Sequence, residues 1–458
     1  MTVPTGTTRV RPVNQPQSIY ASRRAALSER LAGATLVLPA AHMSLRNSDV
    51  EYEFRQDSDF LWLTGLASPD AVAVLCPSHP EHPYVLFVRP RDADAEVWEG
   101  PRLGPEGACS VHGADAAFPL GELAQRLPDL VGRSERVVMA LGRDPELERK
   151  VWSAGSAAGR KWREGLVHPS IVEDPRRTLH ELRLHKDEGE LSDLRRAAAI
   201  TVEAHRAAMR KAAPGLFEWE VQVELEGVMR REGVRRMAYE SIVASGPNAT
   251  FLHYVKADRQ MQDGDLVLID AGAEWNGYAA DVTRTFPVGG RFSAPQRDVY
   301  EVVLQAQFAA IAQCVAGTAR SAAHEAALRV LVEGLVSLEV LKGDVDSLIE
   351  EEAYKPYYMH GTGHWLGMDV HDVGDYVSLD ADQPSQTDGL SARNLAPGMV
   401  TTVEPGLYFP ADAEEVPEAL RGIGIRIEDD VVITDGGPEV MTAALPKQLD
   451  DVEAACSS

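Results

Sequence analysis

Along residues 19–177 the apolar positions alternate between helix-like spacing and short β-rich runs at 35–38, 60–64, 71–76, 84–88 and 137–141. Mixed periods of this kind predict an α/β domain. The stretch EDPRRTLH at 173–180 interrupts the pattern with a proline and a basic pair. A long helical period over 187–213 then runs to the stop signal Pro214-Gly215. The organisation expected is a polar tail over 1–18, an α/β N-terminal domain over 19–180 and a second domain over 181–458.

The second domain reads as helices over 187–213 and 218–232, then strands near 241–245, 266–270 and 279–286. Helices near 295–315 and 321–341 follow, with short strands to the end, among them 399–404 and 423–433. Helix pairs followed by strands, in two rounds, predict an α+β domain with a weak internal duplication of pattern only.

Composition narrows the function classes. With 44% apolar and 25% charged residues over 458 positions, the chain can bury substantial cores. Its net charge of −25 argues against nucleic acid or an anionic membrane as the main partner. The acidity is uneven, because residues 301–458 carry 8 basic against 28 acidic side chains. Cys76, Cys109, Cys314 and Cys456 show no CxxC spacing, which fits a reducing cytoplasm better than a disulfide framework or thiolate zinc. No apolar run approaches a membrane span, and the first 17 residues lack a signal-peptide core.

Five segments place acids and histidines where they demand a reason. Alternation along LVLID at 266–270 puts Leu266, Leu268 and Asp270 on one face. A buried carboxylate must be hydrogen-bonded, paired or metal-bound; the plain alternative is that Asp270 caps the turn at Gly272. Asp281, eleven residues on in GYAADVTRTF, would reach the same neighbourhood if a turn at 274–277 joins antiparallel strands. Two such carboxylates repel unless a cation or a shared proton lies between them. HGTGHWLGMDVH at 360–371 concentrates three of the 13 histidines in a stretch whose glycines exclude a zinc-binding helix. Glu404 in MVTTVE and Glu428 in IGIRIEDD are read as acids inside apolar strands, with a simple Arg426 pair or the acidic edge of Asp429-Asp430 as the plain reading of Glu428.

Four carboxylates and a clustered imidazole form a mostly oxygen donor set, which suits a pair of fairly hard divalent ions such as Mn²⁺ better than lone zinc. Two such ions about 3.5–4 Å apart can hold a hydroxide and polarise a carbonyl, so metal-assisted hydrolysis is the leading chemistry.

These residues give the chain its resemblance to the Xaa-Pro aminopeptidase (aminopeptidase P) family of pita-bread metallopeptidases. The resemblance spans nearly the whole sequence. It includes RNSDVEYEFRQDSDFLWLTGLASPDAV at 46–72 and RPRDADAEVWEGPRLG at 89–104. Further on come SGPNAT, His253, LIDAG, DVTRTFP, HGTGHWLGMDVHD, LAPGMVTTVEPGLYF and GIGIRIEDDVVIT.

The resemblance implies an α/β N-terminal domain before an α+β pita-bread catalytic domain. Asp270 would bind one metal, Asp281 and Glu428 would bridge both, and His364 with Glu404 would bind the other. A hydroxide between the metals would attack the carbonyl before proline, with Glu404 as proton shuttle. His253, His360 and His371 would line the substrate site, His371 and His253 acting on the reacting group. Tyr408 and Arg426 match positions at the substrate or behind the ligands. The expected partners are peptides with proline second and other copies of the chain, in a cytoplasmic dimer or tetramer. Trp98 would pack in its own domain or line a neighbour's site.

The nearest rival is a prolidase, which shares domains and ligands and cleaves only Xaa-Pro dipeptides; the segments at 89–104 and LAPGMVTTVEPGLYF resemble the aminopeptidase instead. A non-catalytic, partner-binding relative or a metal-free hydrolase such as creatinase is disfavoured by the complete ligand set. The acidic stretch 412–418 has no assigned role.

Overall fold

The computed structural model describes residues 15–378 and 391–457. Most of the expected 1–18 tail lies outside them, and the first helix, Gln17–Leu31, already occupies its last two positions. The chain forms two compact units that divide after Arg183.

The first unit is a six-stranded mixed sheet in the order Ala116–Pro119, Tyr84–Val88, Val72–Leu75, Thr35–Pro39, Arg136–Val138, Ile171–Glu173. Val37, Val74, Val85 and Phe87 pack from one face against Leu127 and Leu130 of helix Leu123–Val131 and Leu147 and Val151 of helix Pro145–Arg160. The β-rich run expected at 60–64 is instead helix Ser58–Thr64. Its apolar run is too short for periodicity to separate helix from strand, and the termini decide. Asp57 caps it by accepting the Phe60 N–H at 2.8 Å, and Gly65 ends it in the left-handed region. Inside this helix Asp59 is buried against Arg183 (2.5 Å) and His180 (3.0 Å). Trp98, on the short helix Ala93–Glu99 that buries none of its residues, is 89% exposed, so the packing role expected for it within its own domain is not observed.

The second unit begins with helices Glu188–Lys211 and Glu218–Arg231. The first opens on a capping box, Asp187 accepting the Glu190 N–H at 2.9 Å while Glu190 accepts the Asp187 N–H at 3.0 Å. A three-stranded antiparallel sheet follows, with Leu266–Asp270 between Ile242–Ser245 and Thr283–Pro287. The second round is helices Ala294–Ala312 and Ser321–Ser337, then strand Val400–Val403 in a sheet with Asp429–Thr434 and Gly437–Val440, and the pair Gly406–Tyr408 with Gly424–Arg426. One apolar core joins helix residues such as Ile200, Leu225, Val303 and Leu331 to sheet residues such as Val267, Ile269, Val403 and Val431.

The helices match the expected positions, whereas two strands expected to be continuous are broken. The run at 279–286 splits into Tyr278–Ala279 and Thr283–Pro287, and that at 423–433 into Gly424–Arg426 and Asp429–Thr434. Among the described residues no helix is long and apolar enough to cross a membrane.

Candidate metal centre

Asp270 was expected at the end of its strand and closes it, whereas Asp281, Glu404 and Glu428 were expected inside strands and the structure puts them where strands end or break. Asp270 closes Leu266–Asp270, Asp281 lies in the first break, Glu404 follows Val400–Val403, and Glu428 fills the second break. Backbone bonding explains the interruptions. The Asp281 N–H goes to the Asp430 carboxylate (3.3 Å), the Glu404 N–H to the Thr362 carbonyl (2.8 Å) and the Glu428 N–H to the Thr283 carbonyl (3.0 Å). Each of these three positions thus trades a ladder bond for one that joins separate segments, and the side chains converge on one cavity. The expected turn is also present: Trp275 pairs with Tyr278 across Asn276-Gly277, both at positive φ.

His364 arrives on an irregular segment laid along strand Val400–Val403. Its N–H donates to Thr402 Oγ1 (3.1 Å) and its carbonyl accepts the Thr402 N–H (3.0 Å). The approach is close enough that a Cβ at Gly363 would sit 2.0 Å from the Thr402 carbonyl oxygen, so only glycine fits there.

Asp270, Asp281, His364, Glu404 and Glu428 line one cavity of about 330 Å³, together with His253, His360, His371 and Arg426. One donor atom from each of Asp281, His364 and Glu428 lies within 4.8 Å of the others. His364 Nδ1 is 3.0 Å from the Trp365 carbonyl, which assigns the proton to that nitrogen and aims Nε2 at Asp281 (3.3 Å) and Glu404 (3.8 Å). An imidazole so fixed, among four converging carboxylates, is a donor set that fits divalent cations.

The carboxylates are steadied from behind. Tyr239 donates its single phenol proton between Asp270 (2.5 Å) and Asp281 (2.6 Å). Buried Arg426 pairs with Asp270 at 2.6 Å, in place of the Glu428 pairing considered from sequence. Thr283 donates to Glu428 at 2.6 Å. Tyr408 is fully buried and does not line the cavity; its hydroxyl accepts from Arg426 Nη1 (3.0 Å) and lies 2.8 Å from His360 Nε2. Sequence reasoning missed Tyr239, Thr283 and Asp430. Tyr239 sits in MAYESI with no periodic or compositional signal, while Asp430 was visible only as part of an acidic pair.

Charges across the site are mutually dependent. Burial pushes Glu404 up to about 7 against the opposing pull of His364 and Arg426. Burial and then the charge of Asp281 raise Glu428, and burial raises Asp270 despite Arg426. For His364 burial opposes the charged form, yet the hydrogen bond and charge of Asp281 and the charge of Glu404 raise it to about 9. His360 falls to about 4 through burial and the nearby Arg426. Asp281 is lowered, the hydrogen bond and charge of His364 outweighing burial, so three carboxyls that resist ionising beside one that stays charged, and an imidazole that clings to its proton, mark a site with a strong demand for positive charge.

Comparison with known proteins places the chain in a family. Residues 192–435 match the model of metallopeptidase family M24, and residues 20–139 match that of the aminopeptidase P N-terminal domain. The chain is 44% identical to the Xaa-Pro aminopeptidase of Escherichia coli K12 over 95% of this chain and 96% of that one. It resembles the structure of aminopeptidase PepP from Pseudomonas aeruginosa with a TM-score of 0.92 and 46% identity, covering 97% and 99% of the two chains. A structure of E. coli aminopeptidase P with the inhibitor Pro-Leu gives a TM-score of 0.90 at 43% identity, over 97% and 99%. The chain belongs to the aminopeptidase P group of metallopeptidase family M24.

Proposed function

We propose that this metallopeptidase releases the N-terminal residue from peptides with proline in second position, using two Mn²⁺ ions held by Asp270, Asp281, His364, Glu404 and Glu428. The observation that carries the reading is the convergence of these five side chains on one cavity, with His364 Nε2 turned toward the carboxylates. Bound divalent ions supply a water of lowered pKa and polarisation of the scissile carbonyl.

The chain's own residues do the rest. Asp270 is held in place from behind by Arg426 at 2.6 Å and by the Tyr239 hydroxyl at 2.5 Å. Glu404 borders the cavity beside His360 and His364, where its carboxyl can carry a proton from the attacking water to the departing proline nitrogen. His253 and His371 face the same space and donate to the substrate carbonyl as negative charge develops on it. His360 is kept neutral. Its Nδ1 proton goes to the Gly361 carbonyl (2.8 Å), leaving Nε2 to accept from Tyr408, so Tyr408 acts through His360 and Arg426 rather than on substrate.

The inhibitor Pro-Leu of the related enzyme is what remains when the first residue is cut from Xaa-Pro-Leu, which favours an aminopeptidase over a prolidase. A homo-oligomer is supported by the exposed Val97 and Trp98, and a cytoplasmic location by four unpaired cysteines. Catalysis is assigned to 181–458 and the 19–180 domain to an accessory role. Metal analysis tests the centre. Chelator-treated enzyme should take up two Mn²⁺ per chain and regain activity in step with them. A folded preparation that takes up none would overturn the reading.

A further inference from the structure

The loop that carries His364 and His371 is latched from below by an ion pair outside the metal centre. Lys186 Nζ donates to Asp372 Oδ2 at 3.0 Å, and both side chains are 1% exposed. Lys186 is itself anchored, its N–H bonding the Gly398 carbonyl (2.9 Å) just before strand Val400–Val403. Asp372 in turn closes the loop. Its N–H donates to the Trp365 carbonyl (2.9 Å), and its Oδ1 accepts the Asp369 N–H (3.3 Å). His364 and His371 therefore flank a closed turn, with ring centroids 4.1 Å apart. The pair also fills the space beneath that turn, since a Cβ on Gly367 would lie 2.1 Å from Asp372 Oδ2 and 3.0 Å from Lys186 Cε.

Desolvating a lysine and an aspartate together yields little net stability compared with apolar residues of the same volume. The value of the pair lies in what it orients. We propose that Lys186 is a positioning residue which, through Asp372, holds His371 at its working place beside His364. This rests on the proposed action of His371 on substrate.

Two variants separate positioning from mere structure. Asp372→Asn keeps shape and an acceptor while removing the charge. Lys186→Met with Asp372→Leu replaces both partners by apolar side chains and avoids a lone buried charge. In each folded variant kcat on an Xaa-Pro tripeptide should fall about 10- to 100-fold, the usual cost of losing such a supporting group. KM and the two Mn²⁺ per chain should stay near wild type. Combining either change with His371→Ala should produce no further fall in kcat. Wild-type kcat in either folded variant would overturn the proposal, as would loss of metal, which would place the effect on His364. If wild-type enzyme itself leaves Xaa-Pro tripeptides intact, the peptidase reading fails instead.

Discussion

At the scale of single residues, the centre depends on side chains that contribute in different ways. Glu404 is proposed both as a metal ligand and as the proton shuttle. Glu404→Ala should lower kcat by at least the about 10²- to 10⁴-fold ascribed to a general acid-base group, and should release bound metal. Turnover near wild type would contradict both roles. Tyr239 contributes only orientation, its one phenol proton shared between Asp270 and Asp281. Tyr239→Phe should weaken metal retention about 10- to 100-fold in a Mn²⁺ titration; unchanged affinity would show that the two carboxylates hold their places unaided. The acids that line the cavity were legible in the sequence because a charge in an apolar run is conspicuous. Tyr239 was not, because a lone tyrosine is compatible with almost any burial and has no period to break.

At the scale of elements, the apolar runs told where chain is buried but not where ladders stop. The strands around Asp281 and Glu428 read as continuous because their apolar residues are continuous. Their breaks come from long-range bonds to Asp430 and Thr283 that no local pattern contains. Helix Ser58–Thr64 was mistaken for strand for a related reason, its identity residing in Asp57 and Gly65 at its ends.

Asp59 within that helix has a measurable consequence. Burial alone would raise its pKa, but Arg183 and His180 outweigh that and bring it to about 2. A carboxyl depressed from its unfolded value of about 3.9 stabilises the fold fully above that pH. The contribution then drains away as pH falls toward about 2. The melting temperature of the wild type should therefore drop more steeply between about pH 4 and 2 than that of Asp59→Asn. Parallel curves would show that Asp59 does not titrate with folding.

At the scale of the whole molecule, the net charge of −25 is mostly unrelated to metal binding, since only four of the 70 acids are proposed ligands. With 28 acids against 8 basic residues after position 300, the catalytic unit presents a negative field to substrates whose N-terminus is positive. kcat/KM should fall as ionic strength rises through the range where the Debye length shrinks below about 10 Å. Independence of salt would leave the excess acidity with a role in solubility alone.

The central claim is that this centre removes one residue before proline and accepts chain beyond it. The most direct test is N-terminal residue release from the tripeptide Arg-Pro-Pro and from longer Xaa-Pro peptides by Mn²⁺-loaded enzyme, with Xaa-Pro dipeptides alongside. Efficient release of free arginine from Arg-Pro-Pro, continuing in longer peptides, is the result predicted. Hydrolysis confined to Xaa-Pro dipeptides would contradict it.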